Sequence, residues 1–199
     1  MLKNQLRPAI AITVVLMVIT GLLYPGAVTA IAGFLFPRQA DGSLVSVDGH
    51  VVGSLLIGQT FASARYFHSR PSAAGGGYDD TLSAGTNLGP TSARLADTLI
   101  VQAVDSAVRL DHWVKGQIPS DLVTSSGSGL DPDISPASAA GQVARVAKAR
   151  GLTESVVRDL VARHTRGRTL GLFGELRVNV LWLNLALDSL ASAPRQRSN

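Results

Sequence analysis

The sequence predicts a single N-terminal transmembrane helix followed by a mixed α+β extracytoplasmic domain. Three observations carry that expectation. No residue between Arg7 and Arg38 is charged. Beyond Pro37 the apolar pattern breaks into short runs separated by turn residues. From Thr91 onward the apolar period becomes helical. A chain of 199 residues has room for one ordinary domain beside a membrane segment. Its mean hydropathy of +0.24 is high because the apolar residues are concentrated at one end.

The run from Ala9 to Phe36, AIAITVVLMVITGLLYPGAVTAIAGFLF, exceeds the about 20 helical residues that cross a hydrocarbon core of roughly 30 Å. The span is expected over Ile10 to Ile31, with residues 1–9 cytoplasmic and residues 32–199 forming the outer domain. Pro25 lacks a backbone N–H and should kink the helix near Gly21 or end it early. The alternative is a cleaved signal peptide, since Lys3 and Arg7 precede the apolar run and Val28 and Ala30 suit a small-residue cleavage site. Retention is favoured because Ile31 to Phe36, which would open the mature chain, is itself strongly apolar. Lys3, Arg7 and the terminal amine lie on the short side, while Arg38 is soon followed by Asp41 and Asp48 on the other. The positive-inside rule then puts the N-terminus in the cytoplasm and the long remainder of the chain outside.

In the outer domain a turn at Gln39 to Gly42 leads into HVVGSLLIG, a short buried strand interrupted by Gly53. Arg65 to His68 is a second candidate strand. Glycine, serine, alanine and aspartate dominate from Ser69 to Pro90, which predicts a long loop. After Thr91, Ala96, Ile100, Ala103, Ala107 and Leu110 make one stripe of an amphipathic helix, and Arg94, Asp97, Thr98, Gln102, Asp105 and Arg109 lie on the opposite one. Asp121 to Thr124 is a candidate strand, followed by a polar loop. Ser135 as N-cap, Pro136 at the first helical position and Gly151 at C′ bound a helix over Pro136 to Arg150. Thr153 caps a second helix running to about His164, and Val180, Leu183, Leu187 and Leu190 share one face of a C-terminal helix.

The absence of cysteine excludes disulfides, thiolate metal sites and a cysteine nucleophile. His50, His68, His112 and His164 are scattered, with no HExxH pair, so no metal ligand set and no catalytic residue is assigned. A GxSxG elbow is also missing. Asp79-Asp80 and Asp131-Pro132-Asp133 lack the ligand count of a calcium loop and read as turns. Residues 38–144 carry six Lys/Arg against ten Asp/Glu, whereas residues 145–199 carry ten against four. These cations are not interleaved with aromatics, so nucleic acid is not an expected partner; lipid headgroups or an acidic partner surface suit them better.

Ser126, Gly127, Ser128 and Gly129 lie shortly before the Pro136 helix, whose N-terminus favours an anion. They are candidate phosphate contacts, although the Walker lysine is missing and glycines supplying positive φ in a tight loop explain the sequence as well. Ser138, Gln142 and Arg145 line up along that helix, a strip suited to a phosphate, a base edge or a partner backbone, and equally to a solvent face. Neither a DKTG phosphorylation sequence nor a TVGYG-like filter is present, and one uncharged span makes no conduction path.

Several rare words, in order, carry a resemblance: LRPAI at the start of the span, GSLLIGQ (Gly53 to Gln59), YFHSRPS (Tyr66 to Ser72), NLGP (Asn87 to Pro90), SGSGLDP (Ser126 to Pro132), Ser135-Pro136, Gln142-Val143 and RVNVL (Arg177 to Leu181). Along nearly its whole length the chain resembles the C subunit of the bacterial high-affinity potassium-transporting ATPase, the KdpC family. Departures are Ser125, Thr86 and Leu176, where the family usually has alanine, serine and proline.

The resemblance implies a non-catalytic accessory subunit beside a channel-like potassium-binding subunit, a P-type ATPase subunit carrying the phosphorylated aspartate, and a small stabilising subunit. It also implies a catalytic chaperone that raises the ATP affinity of the ATPase subunit, with Gln142 matching the glutamine linked to that effect. No cofactor is expected to bind independently, and ATP only through the complex. The orientation read from the flanking charges puts Gln142 across the membrane from ATP. A cap that stabilises the complex is therefore the expected role of the outer domain. The competing reading is an independent membrane-tethered hydrolase or ligand-binding protein that uses the Ser/Gly-rich loop.

Overall fold

The computed structural model describes residues 2–192; Met1 and residues 193–199, the end of the expected outer domain, lie outside the described residues. The chain divides into two compact units, Met1–Val51 and Val52–Asn199.

In the first unit α1 (Leu2–Val18), a π turn (Ile19–Leu23) and α2 (Tyr24–Leu35) make one continuous helix. Its apolar part, Gln5–Leu35, has 31 residues and encloses the expected Ile10 to Ile31. At 1.5 Å per residue it is about 46 Å long, enough to cross a bilayer with tilt. Its most apolar stretch is entirely unburied within the chain, unlike the core helix of a soluble protein. Pro25 neither ends nor breaks the helix. The disturbance falls around Gly21, as a π turn in which Tyr24 N–H bonds the Ile19 carbonyl five residues back. The helix stops at Phe36, whose φ of −135° and ψ of 55° are non-helical, as the residue before Pro37 prefers.

A single turn, α3 (Pro37–Ala40), leads to a hairpin of β1 (Leu44–Val47) and β2 (His50–Ser54). Asp48 and Gly49, with φ of 50° and 80°, form the two-residue connection that a right-handed twist favours. The buried strand expected over HVVGSLLIG is shorter than that, ending at Ser54, and His50 to Val52 are exposed; β1 was not expected, although Asp-Gly between apolar runs is a hairpin signal. The boundary between the units falls within β2.

The second unit contains α4 (Val101–Asp111), β3 (Asp133–Ile134), α5 (Pro136–Arg150), α6 (Glu154–His164), β4 (Thr165–Arg166), β5 (Arg177–Asn179) and α7 (Val180–Ser192). The strands form one antiparallel sheet in the order β3-β5-β4, with Ile134 and Thr165 both opposite Val178. Strands of two or three residues are too short to show alternation, so none was expected. The core joins Val143, Val146 and Ala147 of α5, Val157 and Leu160 of α6, and Leu183 and Leu187 of α7 to Val178 and Phe67.

The ends of α5 agree with the sequence reading: the Ser135 hydroxyl accepts from Ser138 N–H at 3.1 Å, and Gly151 closes the helix at φ 64°. The C-terminal face is also as expected for Val180, Leu183 and Leu187, while Leu190 is exposed. Three expectations need correction. The helix after Thr91 opens as a π segment, Arg94–Ile100. Within that wider turn Leu95 and Leu99 are half-buried and Ala96 is exposed; from its last residue onward Ile100, Ala103 and Ala107 face inward as expected, while Leu110 is exposed. Asp121 to Thr124 is not a strand; Ser120–Leu122 is a 3-10 turn, with Ser120 O accepting from the backbone and hydroxyl of Thr124. Arg65 to His68 is not a strand either. Its backbone bonds side chains in place of a neighbouring strand.

Candidate functional site

The carbonyls of five consecutive residues, Ala64 to His68, each accept a hydrogen bond from a side chain of α5 or α7. Arg145 serves Ala64 (3.0 Å) and Tyr66 (2.8 Å), and Arg150 serves Arg65 (2.6 Å). Asn184 pairs with both polar groups of Phe67, at 2.8 Å to N and 3.0 Å to O. Gln142 does the same for His68, at 2.7 and 3.1 Å. A carboxamide has a donor and an acceptor side by side, so it can replace one rung of a β ladder. Buried backbone groups must find partners, and here α5 and α7 provide them.

Gln142 is fully buried, and its Oε1 also accepts from Arg145 Nη2 at 2.7 Å. Arg145 Nε donates to Asp111 at 2.6 Å; the two side chains are 8% and 7% exposed, so this pair ties α4 to α5 inside the domain. Ser138 is buried as well. The strip of Ser138, Gln142 and Arg145 therefore faces inward, and the backbone that Gln142 and Arg145 recognise belongs to this chain.

At the N-terminus of α5, Asp121 accepts from Ser135 N (2.7 Å), Ser135 Oγ (3.1 Å) and Ser138 Oγ (2.7 Å). The chain's own carboxylate thus occupies the position where helix amides and dipole favour an anion. Sequence reasoning missed this role of Asp121 because it lies 14 residues before Ser135, in a segment read as a strand.

Ser126 to Gly129 braces the long loop from Ser69 to Pro90. Ser128 O accepts from Ala84 N (2.9 Å) and Ser83 Oγ (3.0 Å), and Gly129 O accepts from Ser72 Oγ at 2.6 Å. Ser126 Oγ accepts from Gly129 N, and Ser128 Oγ from Leu130 N. Gly129 has φ +67°, and a Cβ there would strike the backbone of Ala84 and Ala74. Ser72 in turn accepts from Ala74 N and Tyr78 N, and Tyr78 Oη donates to Arg70 O. Burial raises the pKa of the Tyr78 hydroxyl. Asp79 accepts from Thr81 N and Oγ1, a turn arrangement that lowers its pKa.

A cleft of about 780 Å³ runs between this loop and α4, lined by His68, Arg70, Tyr78, Leu95, Leu99 and Gln142 among others. Ser125 also lines it, whereas Ser126 to Gly129 lie outside it. The structure therefore does not bring Gln142 and the Ser/Gly loop together at this cleft. Arg70, unremarked in the sequence reading, donates to Asp131 at 2.8 Å and to Thr124 O at 3.3 Å. Burial first, and the Arg145 charge second, lower the pKa of His68. Asp133, half-buried and bonded by Asn179 and Arg177, has its carboxyl pKa raised mainly by burial. Among the described residues no three His, Asp or Glu side chains are grouped as metal ligands would be.

Comparison with known proteins agrees with the resemblance read from the motifs. The family model described as K+-transporting ATPase, c chain, matches residues 6–189. A potassium-transporting ATPase KdpC subunit of Gemmatimonas aurantiaca is 60% identical over 199 residues, covering 99% of each chain. Those of Koribacter versatilis and Methylobacterium nodulans are 49% and 54% identical, covering 98% and 94% of this chain and 100% and 98% of theirs. With nearly end-to-end similarity to these relatives and to the family model, the chain belongs to the KdpC family.

Proposed function

We propose that the chain is a non-catalytic accessory subunit of a potassium-transporting ATPase, anchored by its N-terminal helix and docked by its outer domain on the neighbouring subunits. Those neighbours are a channel-like potassium-binding subunit, a P-type ATPase subunit with the phosphorylated aspartate, and a small stabilising subunit. The observation that carries this reading is the family match over residues 6–189. The helix Gln5–Leu35, retained and oriented with its N-terminus in the cytoplasm, supplies the anchor.

The geometry supports a scaffold role for Gln142, because its amide already bonds His68 and Arg145. A rise in the ATP affinity of the ATPase subunit then passes through subunit contacts and not through Gln142. The Ser126 to Gly129 loop braces its neighbours in the same way, which leaves the independent hydrolase without a built site at that loop.

Co-purification from detergent tests the assignment: the chain should elute with the other three subunits, and elution alone would refute it. A reporter fused after Asn199 should work only outside the cytoplasm. Intact-mass measurement should find no mature form beginning after Ala30.

A further inference from the structure

The hairpin that joins β4 to β5 points to a docking element. Every residue from Arg166 to Leu176 is exposed, and at the tip Leu170, Leu172 and Phe173 are 85%, 74% and 65% exposed. The tip is a defined turn: Thr169 N bonds Phe173 O at 2.8 Å and Phe173 N bonds Thr169 O at 3.0 Å. Folding the domain does not require these side chains, because none joins its core. Three large apolar side chains left exposed together on one defined turn are what an interaction site presents.

The base of the hairpin is basic. Residues 163–177 carry four arginines, one glutamate and no lysine. Arg166 stacks on the Trp182 ring at 4.5 Å, whose other neighbour is His164, edge-on at 5.1 Å. Arg177 is held by Asp133 at 3.3 Å and donates to Gly167 O. Arg168 reaches Glu175 at 3.2 Å. Glu175 and Asp133 already pair with Arg168 and Arg177, so the segment's remaining positive charge, on exposed Arg163 and Arg166, is what can meet a partner's carboxylates, and Arg beside Phe and Trp is the composition of protein interface centres. A bilayer surface needs only mobile cations, for which lysine serves equally.

We propose that the Leu170-Leu172-Phe173 tip enters an apolar socket, rimmed by carboxylates, on another subunit of the same pump. This proposal rests on the accessory-subunit reading and names the surface through which the outer domain docks.

The test uses the full chain co-expressed with the other subunits. With p-benzoylphenylalanine in place of Leu172, irradiation of intact membranes should cross-link the chain to another pump subunit. The Leu172→Asp/Phe173→Asp variant should lower retention of the chain in the detergent-purified complex tenfold or more. Its melting temperature should match the wild type, since both side chains are exposed. If it melts lower, Leu172→Ser/Phe173→Ser replaces it and is held to the same retention criterion. Cross-linking to lipid only, to a second copy of this chain or to nothing would overturn the proposal, as would retention at the wild-type level. Wild-type chain that fails to co-purify would instead refute the accessory-subunit reading itself.

Discussion

Both backbone polar groups of His68 are bonded to one side chain: His68 N–H donates to Gln142 Oε1 at 2.7 Å, and Gln142 Nε2 donates back to His68 O at 3.1 Å. Gln142→Ala removes both bonds and the acceptor of Arg145 Nη2. An unpaired buried polar group costs about 1–3 kcal/mol, so the expected loss is roughly 2–5 kcal/mol in urea unfolding of the full chain. Unchanged stability with weakened ATP binding by the complex would mean instead that Gln142 contacts nucleotide.

Arg145 and Asp111 form the most enclosed ion pair among the described residues, at 2.6 Å. Asp111→Ala leaves a buried guanidinium with one partner fewer, and breaking a buried pair from one side costs about 3–5 kcal/mol. Replacing both residues by apolar ones should recover only part of this, because Ala64 O and Tyr66 O would still lose Arg145. A double-mutant cycle on unfolding free energies measures the coupling.

These two clusters also show what the sequence could and could not reveal. The ends of α5 were legible because Ser135, Pro136 and Gly151 act within a turn of themselves. The segment from Arg65 to His68 was read as a strand from its composition. Its partners are side chains far along the chain: Asn184 lies 117 residues from Phe67 and Gln142 lies 74 from His68. The spacing of Ser138, Gln142 and Arg145 was visible, but their inward direction depends on what packs against α5. The inner face of the helix after Thr91 was legible at Ile100, Ala103 and Ala107, but not at Ala96 near the start of the π segment, because no local residue signals one.

Gly129 and Ser128 separate the two readings of the Ser/Gly loop. Gly129→Ala forces a Cβ into the Ala84 and Ala74 backbone at φ +67° and should release the loop from Ser69 to Pro90. Faster limited proteolysis between Ala73 and Pro90 is the expected readout. Ser128→Ala loses only the oxygen that accepts from Leu130 N and meets the Ser126 hydroxyl, a cost of about 1 kcal/mol. Hydrolytic turnover by the wild type that vanishes in Ser128→Ala would revive the tethered-hydrolase reading.

Gly141 lies against the ring of Trp113, whose atoms occupy the place of a Cβ. An alanine at a helix interior gains about 1 kcal/mol over glycine, whereas overpacking costs about 1–3 kcal/mol. Gly141→Ala should therefore destabilise the domain in spite of its better helix propensity. In a Trp113→Ala background the same substitution should stabilise, and thermal melts of the four chains reveal the change of sign.

His68 makes stability fall on mild acidification. Burial with the Arg145 charge disfavours its protonated form, against smaller opposing pulls, first from the Ser63 carbonyl 3.1 Å from Nε2 and then from Asp111. In the unfolded chain the imidazole takes up its proton near the ordinary value of 6.5, whereas the folded chain does so only at lower pH. The unfolded state therefore binds more protons within that window, and stability declines as pH falls from about 6.5 to the lowered folded value. Melting temperatures measured across that range should drop in the wild type and drop less in His68→Gln, which has no titrating ring. An equal slope in both chains would assign the effect to other groups. Asp133 acts with the opposite sign further down, because its raised carboxyl pKa lets the folded chain take up a proton before the unfolded one.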